Sequence, residues 1–218
     1  MNSTEVRRRS INHPRTSPPS SMWWCRHQSR QPYLSTSKLA VVTSNAAAAR
    51  VELVDVDETV LSELVEIATS DAHANEVTPP LTLENSWTPE RIAWLQAFHR
   101  ERRSGLTGPA GEATWAVTVD GRIVGSVRLK ATAQEGCLET GAWLSRTARG
   151  RGVGRQALGA LLELATAAGA EEVRADTTST NSAALGLLRR LAFGIGIGEG
   201  GAVRATLHLP GLGASPPG

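Results

Sequence analysis

From Arg146 to Ala170 the chain reads RTARGRGVGRQALGALLELATAAGA, placing Gly150, Gly152 and Gly154 at alternate positions among Arg149, Arg151 and Arg155. Glycine lets a backbone turn sharply and approach another group closely, and a helix that starts there leaves its first N–H groups without intrahelical partners. Those donors, the positive end of the helix dipole and the arginines all favour an anion, most naturally a phosphate. A nucleoside-triphosphate loop needs G-x-x-x-x-G-K-[ST], and no Lys-Ser or Lys-Thr pair stands near these glycines. A dinucleotide fingerprint comes closer, with Asp176 downstream at a strand end. Against it, Arg155 occupies the third glycine position, a polar segment separates strand from glycines, and too little chain remains for further βα units.

The elements around this loop follow from hydrophobic period. RVELVDV (50–56) predicts a strand, and Val60, Leu61, Leu64, Val65 and Ala68 predict one face of a helix. An irregular segment HANEVTPPLTLENS follows. A helix begins next at Thr88-Pro89, with Ile92, Leu95 and Phe98 expected inward and Gly105 past its end. Asp120-Gly121 sits between two alternating runs, Trp115/Val117/Val119 and Ile123/Val127/Leu129, and predicts a hairpin. GCLETGAWLS is a third strand of this group and leads into the glycine loop. Leu158, Leu161, Leu162 and Ala165 then mark a helix stopping at Gly169. A strand (EEVRADT), a helix with Ala184, Leu187, Leu188 and Leu191 on one side, and a last strand (AVRATLHL) complete the order. Hairpins first and a β-loop-α-β crossover later imply a mixed α/β layer, not a purely parallel sheet.

Three linked stretches carry a family resemblance. Arg149-x-x-Gly152-x-Gly154 lies between a strand and a helix, ETGAWLS precedes it and NSAALGLLRRLAF follows it. Residues 50–209 thereby resemble the GNAT acetyltransferases, whose motifs at these places are [R/Q]-x-x-G-x-[G/A], E-x-G-x-x-L and N-x-x-A-x-x-x-Y-x-x-x-G-F. The resemblance implies an α/β fold with a mixed, mostly antiparallel central sheet flanked by helices and containing a splayed pair of parallel strands. It implies that Arg149, Gly150, Arg151, Gly152, Val153 and Gly154 bind the pyrophosphate of acetyl-CoA, the co-substrate. It also implies that the backbone of Ala142 and Leu144 pairs with the pantetheine arm and that Asn181 contacts the coenzyme. Asn181 suits a helix N-cap equally well.

Acetyl transfer to an amine needs a neutral nucleophile, yet a lysine-like amine titrates near ~10.4 and an α-amine near ~7.7 to 8.0. Two carboxylates are candidates for taking the proton, Asp176 and Glu139. Asp176 matches a catalytic glutamate of some ribosomal-protein alanine acetyltransferases, and DTTSTN is similar to the D-x-x-x-x-N stretch of some aminoglycoside acetyltransferases. Where the family often has a tyrosine to protonate the leaving thiolate, this chain has Leu188, and its only tyrosine is Tyr33. The expected activity is therefore transfer from acetyl-CoA to a primary amine of a small molecule or protein N-terminus by direct attack in a ternary complex. A non-catalytic acyl-CoA sensor is the alternative. Asp71, Glu76 and Glu84 in the segment before the second helix would favour a cationic acceptor.

Composition bounds the rest. A chain of 218 residues suits one core. Residues 1–50 carry eight Arg or Lys against a single acid (+7), leaving the remainder at −5, so the basic character belongs to the arm. That arm, 1–49, rich in Ser, Pro and Arg, is expected to be disordered, with 50–209 as the catalytic domain and 210–218 as a flexible tail. A transit peptide, a nucleic-acid-binding tail or an over-long start with Met22 as the alternative also suit the arm. The acidic body gives nucleic acid no support as a partner, and no run is long or apolar enough for a membrane helix. Cys25 and Cys137 form neither a metal spacing nor a disulfide framework, so a cytoplasmic protein without metal is expected; a homodimer stays open.

Overall fold

The computed structural model of the chain describes residues 49–81 and 84–210. The arm expected at 1–49 and the tail expected at 210–218 thus lie outside the described residues, apart from Ala49 and Pro210. The elements run β1 (Val51–Asp55), α1 (Glu58–Asp71), α2 (Ala74–Val77), α3 (Pro89–Glu101), β2 (Glu112–Val119), β3 (Arg122–Ala131), β4 (Cys137–Leu144), α4 (Val153–Ala167), β5 (Glu172–Thr178), α5 (Ser182–Arg190), β6 (Gly194–Ile197) and β7 (Ala202–His208). The strands form one seven-stranded sheet ordered β1-β2-β3-β4-β5-β7-β6. Every neighbouring pair is antiparallel except β4–β5.

Two helical layers cover the two faces. On one, Val153, Ala157, Leu158, Leu161 and Ala165 of α4 pack with Leu188 of α5 against Val127, Leu129, Leu138, Val173 and Ala175. On the other, Leu61 and Leu64 of α1 pack against Ala116, with Val54, Ile123 and Trp143 alongside. Burying a Leu side chain such as Leu161 or Leu64 fully stabilises the fold by ~1.5–3 kcal/mol.

The hairpin turns at Asp120-Gly121, where both φ angles are positive, 49° and 79°. Its faces differ from expectation. A register shift between Val117 and Thr118 pairs Thr118 with Ile123 and leaves Val124 as an extra residue. Ile123 is thereby turned to the α1 face, while Val127 and Leu129 keep to the α4 face.

Helix α3 also differs. Thr88 caps it, its hydroxyl accepting from the Arg91 amide at 3.4 Å, but the residues it buries are Arg91, Leu95 and His99. Ile92 and Phe98, expected inward, are only half-buried. In α5 the buried residues are Leu185 and Leu188, with Ala184, Leu187 and Leu191 half-buried beside them. Two elements lie where no element was expected, the short α2 in the irregular segment and β6 in GIGI.

Candidate active site

The site is built where β4 and β5 part. Their parallel ladder has four pairs and ends at Thr140–Ala175. Beyond it Gly141–Leu144 of β4 pair only with β3, and Asp176–Thr178 of β5 pair only with β7. The Ser145 amide donates to the Val124 carbonyl at 2.8 Å. Because hydrogen-bonded and non-hydrogen-bonded positions alternate in an antiparallel pair, Trp143 and Gly141 also face β3, and Ala142 and Leu144 turn their N–H and C=O groups towards the gap. The Leu144 carbonyl is occupied by the Arg149 guanidinium, which donates to it from Nε at 3.0 Å and Nη2 at 2.8 Å.

After β4 a short 3-10 turn, Arg146–Ala148, leads into the glycine loop. Gly150 and Gly152 have φ of 74° and 81°, a region that L side chains rarely adopt, and a Cβ at either would meet nothing within 4 Å. Gly152 is the N-cap of α4 and no side chain caps the first-turn amides. Val153 is buried in the core and anchors the helix start. Gly154 lies where α4 passes α5: a Cβ there would stand 3.3 Å from Leu187 Cδ2 and 3.5 Å from Leu144 Cδ1. The loop therefore joins two glycines without Cβ atoms to first-turn amides that no side chain caps, which fits an anionic group such as a pyrophosphate.

The loop is tied to the opposite helical layer by two carboxylates. Asp71, at the end of α1, accepts from the Thr147 hydroxyl at 2.5 Å, the Thr147 amide at 3.0 Å and Arg146 Nε at 3.3 Å. The Thr147 bonds, with Arg146 adding less, hold the Asp71 carboxyl below its ordinary range. Glu76, on α2, takes both outer nitrogens of Arg149, at 3.1 and 2.7 Å, and this pair lowers its pKa likewise. These two acids, read from sequence as attractants for a cationic acceptor, are thus matched by arginines of the loop. Glu84 accepts from the Ser86 hydroxyl at 3.2 Å.

The candidate proton acceptors lie on the same face of the sheet, the one opposite α4. Asp176 is the first β5 residue past the end of the ladder. It pairs through both oxygens with Arg204 of β7, at 2.8 and 2.9 Å, on an exposed surface. Glu139 sits deeper. It binds Arg128 at 2.5 Å, and Arg128 in turn binds Glu112, which also holds Arg102 at 2.7 Å. Gly141 gives Arg128 its seat, since a Cβ there would fall 2.7 Å from Arg128 Nε. Asn181 caps α5, its Oδ1 accepting from the Ala184 amide at 3.1 Å.

A pocket of about 70 Å³ opens on this face between α2, α3, β3 and β4, lined among others by Glu76, Trp94, Phe98, His99, Arg128 and Trp143. Sequence reading gave His99 no part here, because its place among half-buried aromatics follows only from the turn of α3 onto the sheet. Among the described residues no group of three or more His, Cys, Asp and Glu is gathered as a metal would need, and no helix is long and apolar enough to cross a membrane.

A model of the acetyltransferase (GNAT) family matches residues 80–193. No curated protein sequence matches the chain. Among solved structures it is similar in fold to the GNAT domain of S. lividans PAT, with 19% identity, a TM-score of 0.57, and 78% of this chain and 96% of that chain covered. It is similar also to RimL, a ribosomal L7/L12 alpha-N-protein acetyltransferase in complex with coenzyme A: 14% identity, TM-score 0.58, 78% and 98% covered. The microcin C7 self-immunity acetyltransferase MccE, in complex with acetyl-CoA and AMP, gives 11% identity, TM-score 0.56, and 73% and 92% covered. The family match takes in more than half of the chain, including the splayed strands, the glycine loop and the helices on either side of them, and so the chain belongs to the GNAT family of acetyltransferases.

Proposed function

We propose that this acyltransferase moves the acetyl group of acetyl-CoA to a primary amine of a small molecule or of a protein N-terminus, by direct attack while both substrates are bound. The observation that carries this reading is the gap past Thr140–Ala175, with the Ala142 and Leu144 backbone turned into it beside the open N-terminus of α4. The loop amides from Gly150 to Gly154 hold the pyrophosphate, the Arg149 amide being taken by the Arg146 carbonyl. The Ala142 amide and carbonyl and the Leu144 amide take the pantetheine arm as a strand edge takes another strand. An amide of this edge also donates to the thioester oxygen, on which negative charge grows as the amine attacks. Arg149 acts on the loop's own frame, its side chain through the Leu144 carbonyl and Glu76 and its amide by donating to the Arg146 carbonyl at 3.3 Å.

Asp176 is the residue we assign to removing the amine proton. It stands at the mouth of the gap on the pocket side, and its exposed pair with Arg204 is of a kind that contributes ~0–1 kcal/mol and opens readily. Glu139 is held within the Arg128–Glu112–Arg102 network, a structural role. Asn181 gives one lone pair of its Oδ1 to the cap and keeps its amide NH₂ and a second lone pair for the coenzyme. An acetyl-CoA consumption assay over polyamines, aminoglycosides and N-terminal peptides tests the reading. With an accepted amine, Asp176→Asn is expected to lower the rate roughly 10²- to 10⁴-fold near neutral pH and Glu139→Gln to lower it less.

One observation favours a second reading, an acyl-CoA sensor. Leu188, in the tyrosine position of the family, is buried in the core, and Tyr33 lies outside the described residues. Tight binding of acetyl-CoA with no turnover on any acceptor would establish the sensor. Turnover would leave water to protonate the thiolate.

A further inference from the structure

The pocket on the α3 face of the sheet has an aromatic wall. Trp94 and Phe98, four residues apart on α3, stack with ring centroids 5.0 Å apart, and Trp143 joins them from β4. All three line the pocket and are only half-buried, so each keeps surface that a ligand can cover. His99 is 1% exposed and enters this wall as packing: it stands edge-on to Phe98 at 5.3 Å, and its Nδ1 lies 3.0 Å from the Thr114 hydroxyl. Burial, with Arg102 and Arg103 nearby, pulls its pKa down to about 3, so its ring adds no charge.

The charged groups of the pocket are matched within the protein. Glu76, the one acid among the described lining residues, is paired with Arg149, and Arg128 is paired with Glu112 and Glu139. The second ammonium of a polyamine or an aminoglycoside therefore finds no carboxylate waiting for it there. The rings are a poor substitute, because the Arg102 guanidinium already lies 3.8 Å from the Phe98 centroid and Arg128 adds its own positive charge to the wall. An uncharged apolar group, by contrast, loses nothing on entering and covers aromatic surface. The place is also right for it. Gly141 and Ala142, which line the pocket too, are the first two β4 residues past the last β4–β5 pair, so pocket and gap share an edge.

We propose that this aromatic wall takes a bulky apolar side chain beside the accepted amine, so that the acceptor is an apolar amine or a protein N-terminus bearing such a residue, and not a polycation. The inference rests on the acetyl-transfer reading of the same site. Phenylalaninamide and alaninamide test it, because they share an α-amine and differ by a phenyl ring. The wild-type protein with acetyl-CoA is expected to prefer phenylalaninamide by ~10-fold or more in kcat/KM and to use it better than spermidine. Trp94→Ala should cut the preference between the amides by ~3-fold or more, chiefly by losing phenylalaninamide. With CoA in place of acetyl-CoA no transfer occurs, and in that complex of the wild type phenylalaninamide should move the indole N–H resonances of Trp94 and Trp143, while alaninamide and spermidine should not. This readout needs neither turnover nor a folded variant. Equal or inverted use of the two amides, a preference undiminished in Trp94→Ala, or better transfer to spermidine or an aminoglycoside than to phenylalaninamide would overturn the apolar acceptor. Absence of transfer to every acceptor would instead overturn the enzyme reading. The indole resonances then decide the pocket alone, a phenylalaninamide-specific shift supporting it and no shift, or the same shift with spermidine, refuting it.

Discussion

At the scale of single residues, Gly152 and His99 carry the sharpest expectations. Gly152 holds φ at 81° with open space where a side chain would stand, so its constraint is conformational, and it caps the start of α4 without any side chain bonding the first-turn amides. Gly152→Val forces a β-branched residue into the left-handed region, at a cost of at least ~1–2 kcal/mol, and shields the anion site. Calorimetry is expected to show acetyl-CoA affinity falling ten-fold or more for Gly152→Val. Arg151→Ala, which removes one exposed charge, should change it by only a few-fold. His99 links the fold to pH. Its folded pKa of about 3 lies below the ordinary 6.5, so the unfolded chain takes up a proton that the native state refuses. The stability this imidazole contributes is complete above pH 6.5 and is lost as pH falls from there towards 3. Urea titrations at pH 7 and pH 5 should show the wild type losing roughly 2 kcal/mol more than His99→Leu over that interval. An equal loss in both proteins would mean that the ring is charged or solvated.

At the scale of elements, α3 supports the pocket from beneath through a residue that periodicity would place outside. Arg91 is fully buried and donates to Thr78 Oγ1 at 2.8 Å, Asn75 Oδ1 at 2.7 Å, the Glu84 carbonyl at 3.0 Å and the Pro79 carbonyl at 3.3 Å. One guanidinium thus gathers α2 and the turn after it, the wall opposite β4. Arg91→Met keeps the length but strands these acceptors, and is expected to destabilise the protein by about 3 kcal/mol. Hydrogen exchange should quicken at the amides of Val77 and Thr78 before it does in β3, and unchanged protection there would count against the role. The same helix shows why its inward face escaped a reading by apolar spacing. Arg91, Leu95 and His99 recur at every fourth residue, but two of the three are polar, and their burial depends on acceptors supplied by distant segments. In β3 the cause is different: a single extra residue at Val124 reverses the side-chain alternation, so Ile123 faces away from Val127 although their spacing in sequence places them together.

At the scale of the whole molecule, the sheet from β1 to β6 and its two helical layers close within the described residues. Arg50 donates its amide to Asp120 and pairs with Glu52, which ties the start of β1 to the β2–β3 turn. A chain of residues 49–210 is therefore expected to melt within a few degrees of the full protein and to keep its acetyl-CoA affinity. A large loss of either would assign residues 1–48 or 211–218 a part in the core. The sequence by itself determined the helix cap at Thr88, the Asp120-Gly121 turn, the glycine loop before α4 and the order of most elements, because each depends on residues within a few positions of one another. It left β6 hidden, since alternating glycines give no apolar pattern, and α2, which is four residues long. Only the tertiary structure decided that Asp71 and Glu76 answer loop arginines, that Glu139 is locked to Arg128, and that a neutral His99 lines the pocket. Those outcomes join residues from 11 to 76 positions apart or depend on which helix face meets the sheet, and a charge or a ring nitrogen gains its role only from the partner that the fold brings to it.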